Sequence, residues 1–338
     1  MPNSIRTIVV GVASMDDQDP RTPGDADPVL GPAVQLAATL GARLHAVHVF
    51  EIPEALSWAL SAGSEPSPQG APADPSGTYV AELLERMRRQ LASFPGGDAV
   101  QCVAVEGSAA EVLCRTAARV EAELIVVGAS RRGRAWSGIL GSTASQVIAA
   151  SAVPVLVVHR PFVRLPGRVL LTSDLSASAC DMLGQGILAA RLVNGGATEM
   201  RCLHVVDLDP LIAPPAADDV LEAIADARLD RSLGEAGFSP AVVERRVRVG
   251  DAAREITREA SEWGAELLVV GTGGEGDAEP RRVGHVATAA IRGAACNVLV
   301  IPAFAPGMAE RARPGASQYA RSASPAVTAP LRALAGTP

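Results

Sequence analysis

Short runs of β-branched residues alternate along the chain with longer stretches in which apolar residues recur every three or four positions. The runs Thr7–Val12, Arg43–Phe50, Val100–Val105, Leu124–Gly128 and Val155–Val158 are largely apolar at consecutive positions, as strands buried on both faces are. Between them the helical period predicts helices over Pro28–Leu40, Tyr79–Phe94, Ala109–Glu121 and Ser142–Ala150, the third opened by a capping box of Ser108 and Glu111. Further helices are expected near Ser178–Val193, Asp218–Ala236, Ala252–Trp263 and His285–Ile291. Strands separated singly by helices imply an α/β fold, a parallel sheet with helices on both sides.

The chain also repeats itself. Ala122–Gly128 (AELIVVG) and Ala265–Gly271 (AELLVVG) are nearly one segment at an offset of 143, which the pairs Gly107 and Gly250, Gly141 and Gly284, and the endings Ser151–Val158 and Ala294–Ile301 all keep. Upstream, His48 corresponds to His204, and the first strand, Thr7–Ala13, to Arg168–Asp174. Two tandem copies of one five-stranded, parallel-sheet, Rossmann-like domain account for this, over 1–162 and 163–305. The surplus of the first copy, about 51–77, is rich in Pro, Ser, Ala and Gly and reads as a loop insertion; 306–338, without apolar period, reads as a disordered tail.

In open parallel sheets ligands bind outside the carboxyl ends of the strands, where the strand order reverses. The most informative loop follows the fourth strand. It runs from Gly128 through Arg131 to Gly141, Ser142 and Thr143 in the first copy, and from Gly271 through Gly274 to Gly284 and His285 in the second. Glycines at a strand end and a helix start let backbone amides approach phosphate oxygens, and the helix N-terminus adds favourable partial charge.

Composition narrows the chemistry. All 30 basic residues are arginine, so mechanisms built on a side-chain amine are excluded, whether a phosphate-loop lysine or a Schiff base. Net charge is −7, divided as −4, −6 and +3 over 1–162, 163–305 and 306–338. With neither copy basic and only 3% aromatics, nucleic acid and anionic membrane are not expected partners. Five cysteines without a CxxC read as buried thiols of a reducing compartment, no apolar run approaches a membrane span, and the expected location is cytoplasmic; no metal cluster is expected.

The loop after the fourth strand, with the endings Leu-His-Val-Val-Asp207 and Val-Pro-Val-Leu-Val-Val158, resembles the universal stress protein family, whose nucleotide-binding members carry Gly-x2-Gly-x9-Gly-(Ser/Thr) there. The resemblance runs from Ile5 to Pro302. It implies tandem or dimeric adenine-nucleotide α-hydrolase-like domains joined through their last strands, here Val153–Val158 and Val298–Ile301, with a homodimer of chains left open. It also implies a role in survival under stress, ATP binding in some members, and no defined catalytic triad. The nucleoside-contacting Asp and the adenine-bordering Val of binders match Asp174 and Val205. The second copy holds Gly271, Gly274 and Gly284 in register, but His285 replaces the hydroxyl residue and Glu275, Asp277 and Glu279 add negative charge. The first keeps Gly128, Gly141, Ser142 and Thr143, but has Ala13 for Asp and Arg131 for the middle glycine.

The resulting expectation is a cytoplasmic stress-response module. It binds ATP, with Mg²⁺, in at least one copy, the second favoured, and acts by binding an unidentified protein partner rather than by catalysis. A slow ATPase or nucleotidyl-transfer enzyme and a nucleotide-free scaffold are the alternatives. His48 and His204 read as structural hydrogen-bonding groups. His285 reads either as a phosphate contact or pH gate, or as a solvent-facing replacement. Ser142 and Thr143 read as phosphate ligands or N-caps, not nucleophiles. Glu111, Glu123, Glu255 and Glu266 read as solvated or capping acids. Of the tryptophans, Trp136 is expected to cover a nucleotide or pack on the other copy, and Trp58 to anchor the insertion.

Overall fold

The computed structural model describes residues 5–13, 27–50, 75–129, 140–162, 165–176, 182–187, 190, 199–207, 218–236, 238, 243–273 and 283–303. The first half contributes strands β1 (Thr7–Val12), β2 (Arg43–Phe50), β3 (Gln101–Glu106), β4 (Leu124–Gly128) and β5 (Val155–Val158). Its helices are α1 (Leu30–Leu40), α2 (Pro75–Leu91), α3 (Ala109–Arg119) and α4 (Ser142–Ala150). The second contributes β6 (Arg168–Thr172), β7 (Glu199–Val206), β8 (Glu244–Val249), β9 (Leu267–Gly271) and β10 (Asn297–Ile301). Helices α5 (182–187), α6 (Asp218–Glu235), α7 (Ala252–Trp263) and α8 (His285–Gly293) lie between them. Most of the expected insertion, the Arg131 and Gly274 stretches and the tail fall outside the described residues. Pro75–Gly77, expected as loop, instead begin α2.

All ten strands form one sheet in the order β3-β2-β1-β4-β5-β10-β9-β6-β7-β8. Pairing is parallel within each half and antiparallel between β5 and β10, where Val157, Leu156 and Val155 face Val298, Leu299 and Val300. The two five-stranded sheets are thus halves of one continuous sheet joined through their last strands, and the apolar edge that either half would expose is covered by the other.

Successive strand residues point to opposite faces, so each strand feeds two cores. Ile8, Val10 and Val12 join the layer under α1, α2 and α6, while Val9 joins the layer under α3, α4, α7 and α8. The helices follow their apolar period. In α3, Ala110, Leu113 and Ala117 turn inward, and Gly41 and Gly264 stop α1 and α7 with left-handed φ values of 64° and 69°. The capping box is corrected: Ser108 stands at the N-cap but its side chain makes no capping bond, and Glu111 pairs one turn on with Arg115. At the corresponding helix, Asp251 does cap, accepting from the Arg254 N–H at 2.8 Å.

Glu123 and Glu266 are not simply solvated. Each reaches from the start of the fourth strand of its half to the start of the first, Glu123 accepting from the Thr7 N–H and Glu266 from the Gly167 N–H. This tie fixes the register at the amino end of each half, opposite the end where the loops of interest lie.

Candidate switch-point clefts

Strand order reverses between β1 and β4 in the first half and between β6 and β9 in the second. Chains leave these neighbouring strands in opposite directions, which opens a crevice beyond their carboxyl ends. In the second half Asp174 lies exposed just past β6 and Gly271 ends β9; Gly284 precedes α8, and His285 is exposed as its first residue. Val205, near the end of β7, is half-buried against the core under α7 and α8. In the first half Gly128 ends β4, and Gly141, Ser142 and Thr143 lead into α4. Each set lies at the carboxyl end of its own half's strands, and because β5 and β10 run antiparallel the two sets lie at opposite ends of the continuous sheet. Arg131 and Gly274 lie outside the described residues.

The helix starts are closed by the same bond in both halves. The Gly141 N–H donates to the Ala129 carbonyl at 2.6 Å and the Gly284 N–H to the Thr272 carbonyl at 3.1 Å. Each glycine is therefore the N-cap, and the amides left without helical partners are those of the first helical residues. Ser142 and Thr143, expected at the cap, are the first two residues of α4 instead. Gly128 and Gly271 are small for a packing reason. An added Cβ would meet Val29 Cγ2 at 3.0 Å in one case and Met182 Sδ at 2.9 Å in the other.

His48 and His204 occupy equivalent places. Nδ1 of His48 donates to the Val12 carbonyl at 3.0 Å and Nδ1 of His204 to the Ser173 carbonyl at 2.9 Å, each tying the end of the second strand to the end of the first. Burial lowers the His204 pKa, Arg228 lowers it further, and the bond to Ser173 and the charge of Asp174 oppose the shift.

The two halves place their acid differently. Ala13 holds the position of Asp174, but a carboxylate still reaches the end of β1. Asp27, only 4% exposed, accepts from the Ala13 N–H at 2.8 Å and from the Val29 N–H at 3.1 Å. Both its oxygens serve the backbone. Asp174 takes the Ser176 N–H and hydroxyl on Oδ1 at 3.0 and 2.8 Å, in an exposed turn. The next residue, Leu175, is buried with φ at 59°, a left-handed conformation unusual for a branched apolar side chain. Sequence reasoning missed both Asp27 and Leu175. Asp27 carried a faint signal, an Asp-Pro step just before a helix; Leu175 carried none.

A cavity of about 320 Å³ lies elsewhere, against α7, and none of the candidate residues lines it. Its floor is an ion network. Glu259 on α7 takes Arg201 and Arg248, and Arg248 spends its other nitrogens on Glu255 and Glu262. Arg201 lies 4.5 Å from the centre of the Trp263 ring. Glu255 is thus an ion-pair partner rather than a solvated cap. Among the described residues no group of His, Cys, Asp and Glu is gathered as for a metal, and no helix is long and apolar enough to cross a membrane.

Two doubly wound halves, each with a switch-point crevice bounded by a strand-end glycine and a helix start, define a tandem Rossmann-like protein. The model of the universal stress protein family matches residues 5–159 and 167–302, and the chain belongs to that family. Universal stress protein Rv2005c of Mycobacterium tuberculosis is 27% identical over 185 residues, which are 53% of this chain and 62% of that protein. Universal stress protein Mb2028c of Mycobacterium bovis matches equally, so the match spans under two thirds of these relatives' length. Among solved structures, the functionally unknown protein PA1789 of Pseudomonas aeruginosa superposes with a TM-score of 0.61 at 17% identity, covering 88% of this chain and 93% of that one. A universal stress protein of Archaeoglobus fulgidus gives 0.51 at 16%, covering 89% and 97%. These likenesses establish the fold.

Proposed function

We propose that the second half binds one adenine nucleotide, with Mg²⁺, in the crevice between β6 and β9, that the first half does not bind tightly, and that the protein works as a nucleotide-responsive binding module of the cytoplasmic stress response. The contrast between the two acids carries this reading: Asp174 is exposed at its crevice, whereas Asp27 is buried and spent on backbone amides. An exposed carboxylate at a strand end suits the hydroxyls of a ribose. The N-terminus of α8, nine residues long and capped by a glycine, offers its first backbone amides to phosphate. Bound nucleotide supplies anionic charge and a rigid body between β6, β9 and α8; the order it imposes there is what a protein partner would read.

Unpaired thiols at Cys102, Cys114, Cys202 and Cys296 fit a reducing compartment.

The test is to strip the purified protein of nucleotide and titrate it with ATP and Mg²⁺ in a calorimeter. One site per chain, lost in Asp174→Ala, is expected. Two equivalent sites would overturn the asymmetry, and no binding would overturn the reading.

A further inference from the structure

Leu175 holds a backbone conformation that it would not adopt unaided, so something in the fold must hold it. Its N–H is taken by the Ser173 hydroxyl at 3.2 Å, and its carbonyl by the Arg228 guanidinium, through Nη2, also at 3.2 Å. Arg228 projects from α6, an element separate in sequence from β6, so the turn that displays Asp174 is pinned across the tertiary structure. The same guanidinium bears on the His204 ring, as does the Asp174 carboxylate, which puts the three side chains around one strand end.

The first half provides an internal control. The buried residues Leu83, Met87 and Leu91 of α2 correspond to Ala225, Leu229 and Leu233 of α6, which makes Arg86 the counterpart of Arg228. Arg86 is drawn to Glu82, one turn earlier on its own helix, at 2.6 Å. The position of Glu82 is taken in α6 by Ile224, a large apolar side chain left 54% exposed. With no acid one turn back, Arg228 turns to the strand end instead. The half that displays an exposed acid is thus the half whose arginine is released from its own helix.

We propose that Arg228 is the positioning residue of the second-half crevice: by holding the left-handed Leu175 peptide it fixes the Asp174 carboxylate where a nucleoside hydroxyl meets it. The proposal rests on the nucleotide reading above and goes beyond it by assigning the preorganisation of the crevice to a helix outside it. Without Arg228 the Leu175 peptide relaxes toward negative φ, and the carboxylate before it swings with the backbone.

The experiment uses the full chain, stripped of nucleotide, in the variants Arg228→Met, Ile224→Glu, Arg86→Met, Asp174→Ala and the double variant Asp174→Ala/Arg228→Met. ATP with Mg²⁺ is titrated calorimetrically, and the His204 ring is followed by NMR across pH without ligand. Arg228→Met is expected to weaken ATP by about tenfold. Ile224→Glu should weaken it too, by recreating the first half's pair at an exposed position that does not threaten folding. The double variant should bind no worse than Asp174→Ala alone, since both act through one carboxylate. Arg86→Met should bind as the unmodified chain does. In Arg228→Met the His204 midpoint should rise, because a neighbouring cation has been removed.

Unchanged affinity in both Arg228→Met and Ile224→Glu, alongside a loss in Asp174→Ala, would overturn the positioning role and leave the nucleotide reading intact. An additive loss in the double variant would make Arg228 a separate contact and overturn it as well. If the unmodified chain binds no ATP, the nucleotide reading fails and takes the proposal with it.

Discussion

Arg248 on β8 donates through Nε to Glu259 on α7 at 2.5 Å, and Glu259 is 1% exposed. The corresponding positions in the first half, 143 residues earlier, hold Val105 and the buried Thr116. The same fold position is thus filled by apolar and neutral packing in one half and by a buried ion network in the other. Taking charges out of water offsets most of what their pairing contributes, so such a network is weak as a source of stability but severe when broken. Glu259→Ala leaves Arg201 and Arg248 facing each other without the carboxylate and is expected to cost about 3–5 kcal/mol. Replacing the set by the first half's residues, Arg201→His/Arg248→Val/Glu259→Thr, should cost less than the single change. Urea unfolding of the two variants checks this; a triple variant less stable than Glu259→Ala would show that the pairs act independently.

Acid should loosen the seam between the halves. His159, just past β5, is pushed down to a pKa of about 4, chiefly by burial and then by Arg160, against an opposing contact with the Ile291 backbone that falls short of a hydrogen bond of Nε2. The ring is neutral when folded and gains its proton more readily when unfolded. Its contribution is therefore intact above about pH 6.5 and is lost as pH falls toward 4, with a slope of about 1.4 kcal/mol per unit. Burial lowers His45 and His204 as well, so their contributions run the same way and must be subtracted. Thermal unfolding of the unmodified chain and His159→Phe between pH 7 and 4 isolates the effect: the melting temperature of the unmodified chain should fall relative to that of His159→Phe as pH falls. Parallel curves would remove His159 from the account.

Much of the fold is legible in the sequence because apolar alternation and an internal repeat report the same thing twice. Strands such as Leu124–Gly128 and Leu267–Gly271 are apolar on both faces, and their near identity at a fixed offset fixes where each half's layers recur. What escapes is whatever depends on distance across the fold. Asp27 is fourteen residues from the Ala13 amide it holds, and no period links them. Arg246 and Arg248 stand two apart on an edge strand, and nothing in that spacing announces Glu259, which α7 brings down on them. Ser108 and Glu111 have the spacing of a capping box, yet a nearby Arg115 offers Glu111 a partner of opposite charge one turn on. Arg228 has Ile224 four positions back where Arg86 has Glu82, a contrast visible once the two helices are aligned by their buried faces.

A side chain of β10 also fastens the seam. Asn297 Oδ1, at the start of β10, accepts from the N–H groups of His159 at 2.9 Å and Arg160 at 3.0 Å, and Asn297 is buried. The equivalent residue of the first half is Pro154, so the pseudo-twofold symmetry is broken here and the fastening is made from one side. Asn297→Ala leaves two backbone donors short of a partner near the seam and should cost about 2 kcal/mol. Asn297→Asp retains the acceptor and should recover part of this. Hydrogen exchange of the β5 and β10 amides is the direct measurement, with faster exchange expected there in Asn297→Ala and little change in β2 or β7. Uniform acceleration across the sheet would mean that the seam does not open on its own.

Asp27 and Asp174 should answer oppositely to the same substitution. Asp27 is buried with one oxygen on the Ala13 N–H and the other on the Val29 N–H, so Asp27→Ala strands two amides at the end of β1 and is expected to destabilise the chain by about 1–3 kcal/mol. Asp174 is exposed, and water can replace it on the Ser176 groups it holds, so Asp174→Ala should change stability by less than about 0.5 kcal/mol. ATP affinity should follow the reverse order, lost in Asp174→Ala and unchanged in Asp27→Ala at temperatures where that variant is folded. Chemical unfolding and calorimetry on the same two preparations decide it. If Asp27→Ala also abolishes ATP binding while remaining folded, the buried carboxylate belongs to a working first-half crevice, and the assignment of binding to the second half alone is wrong.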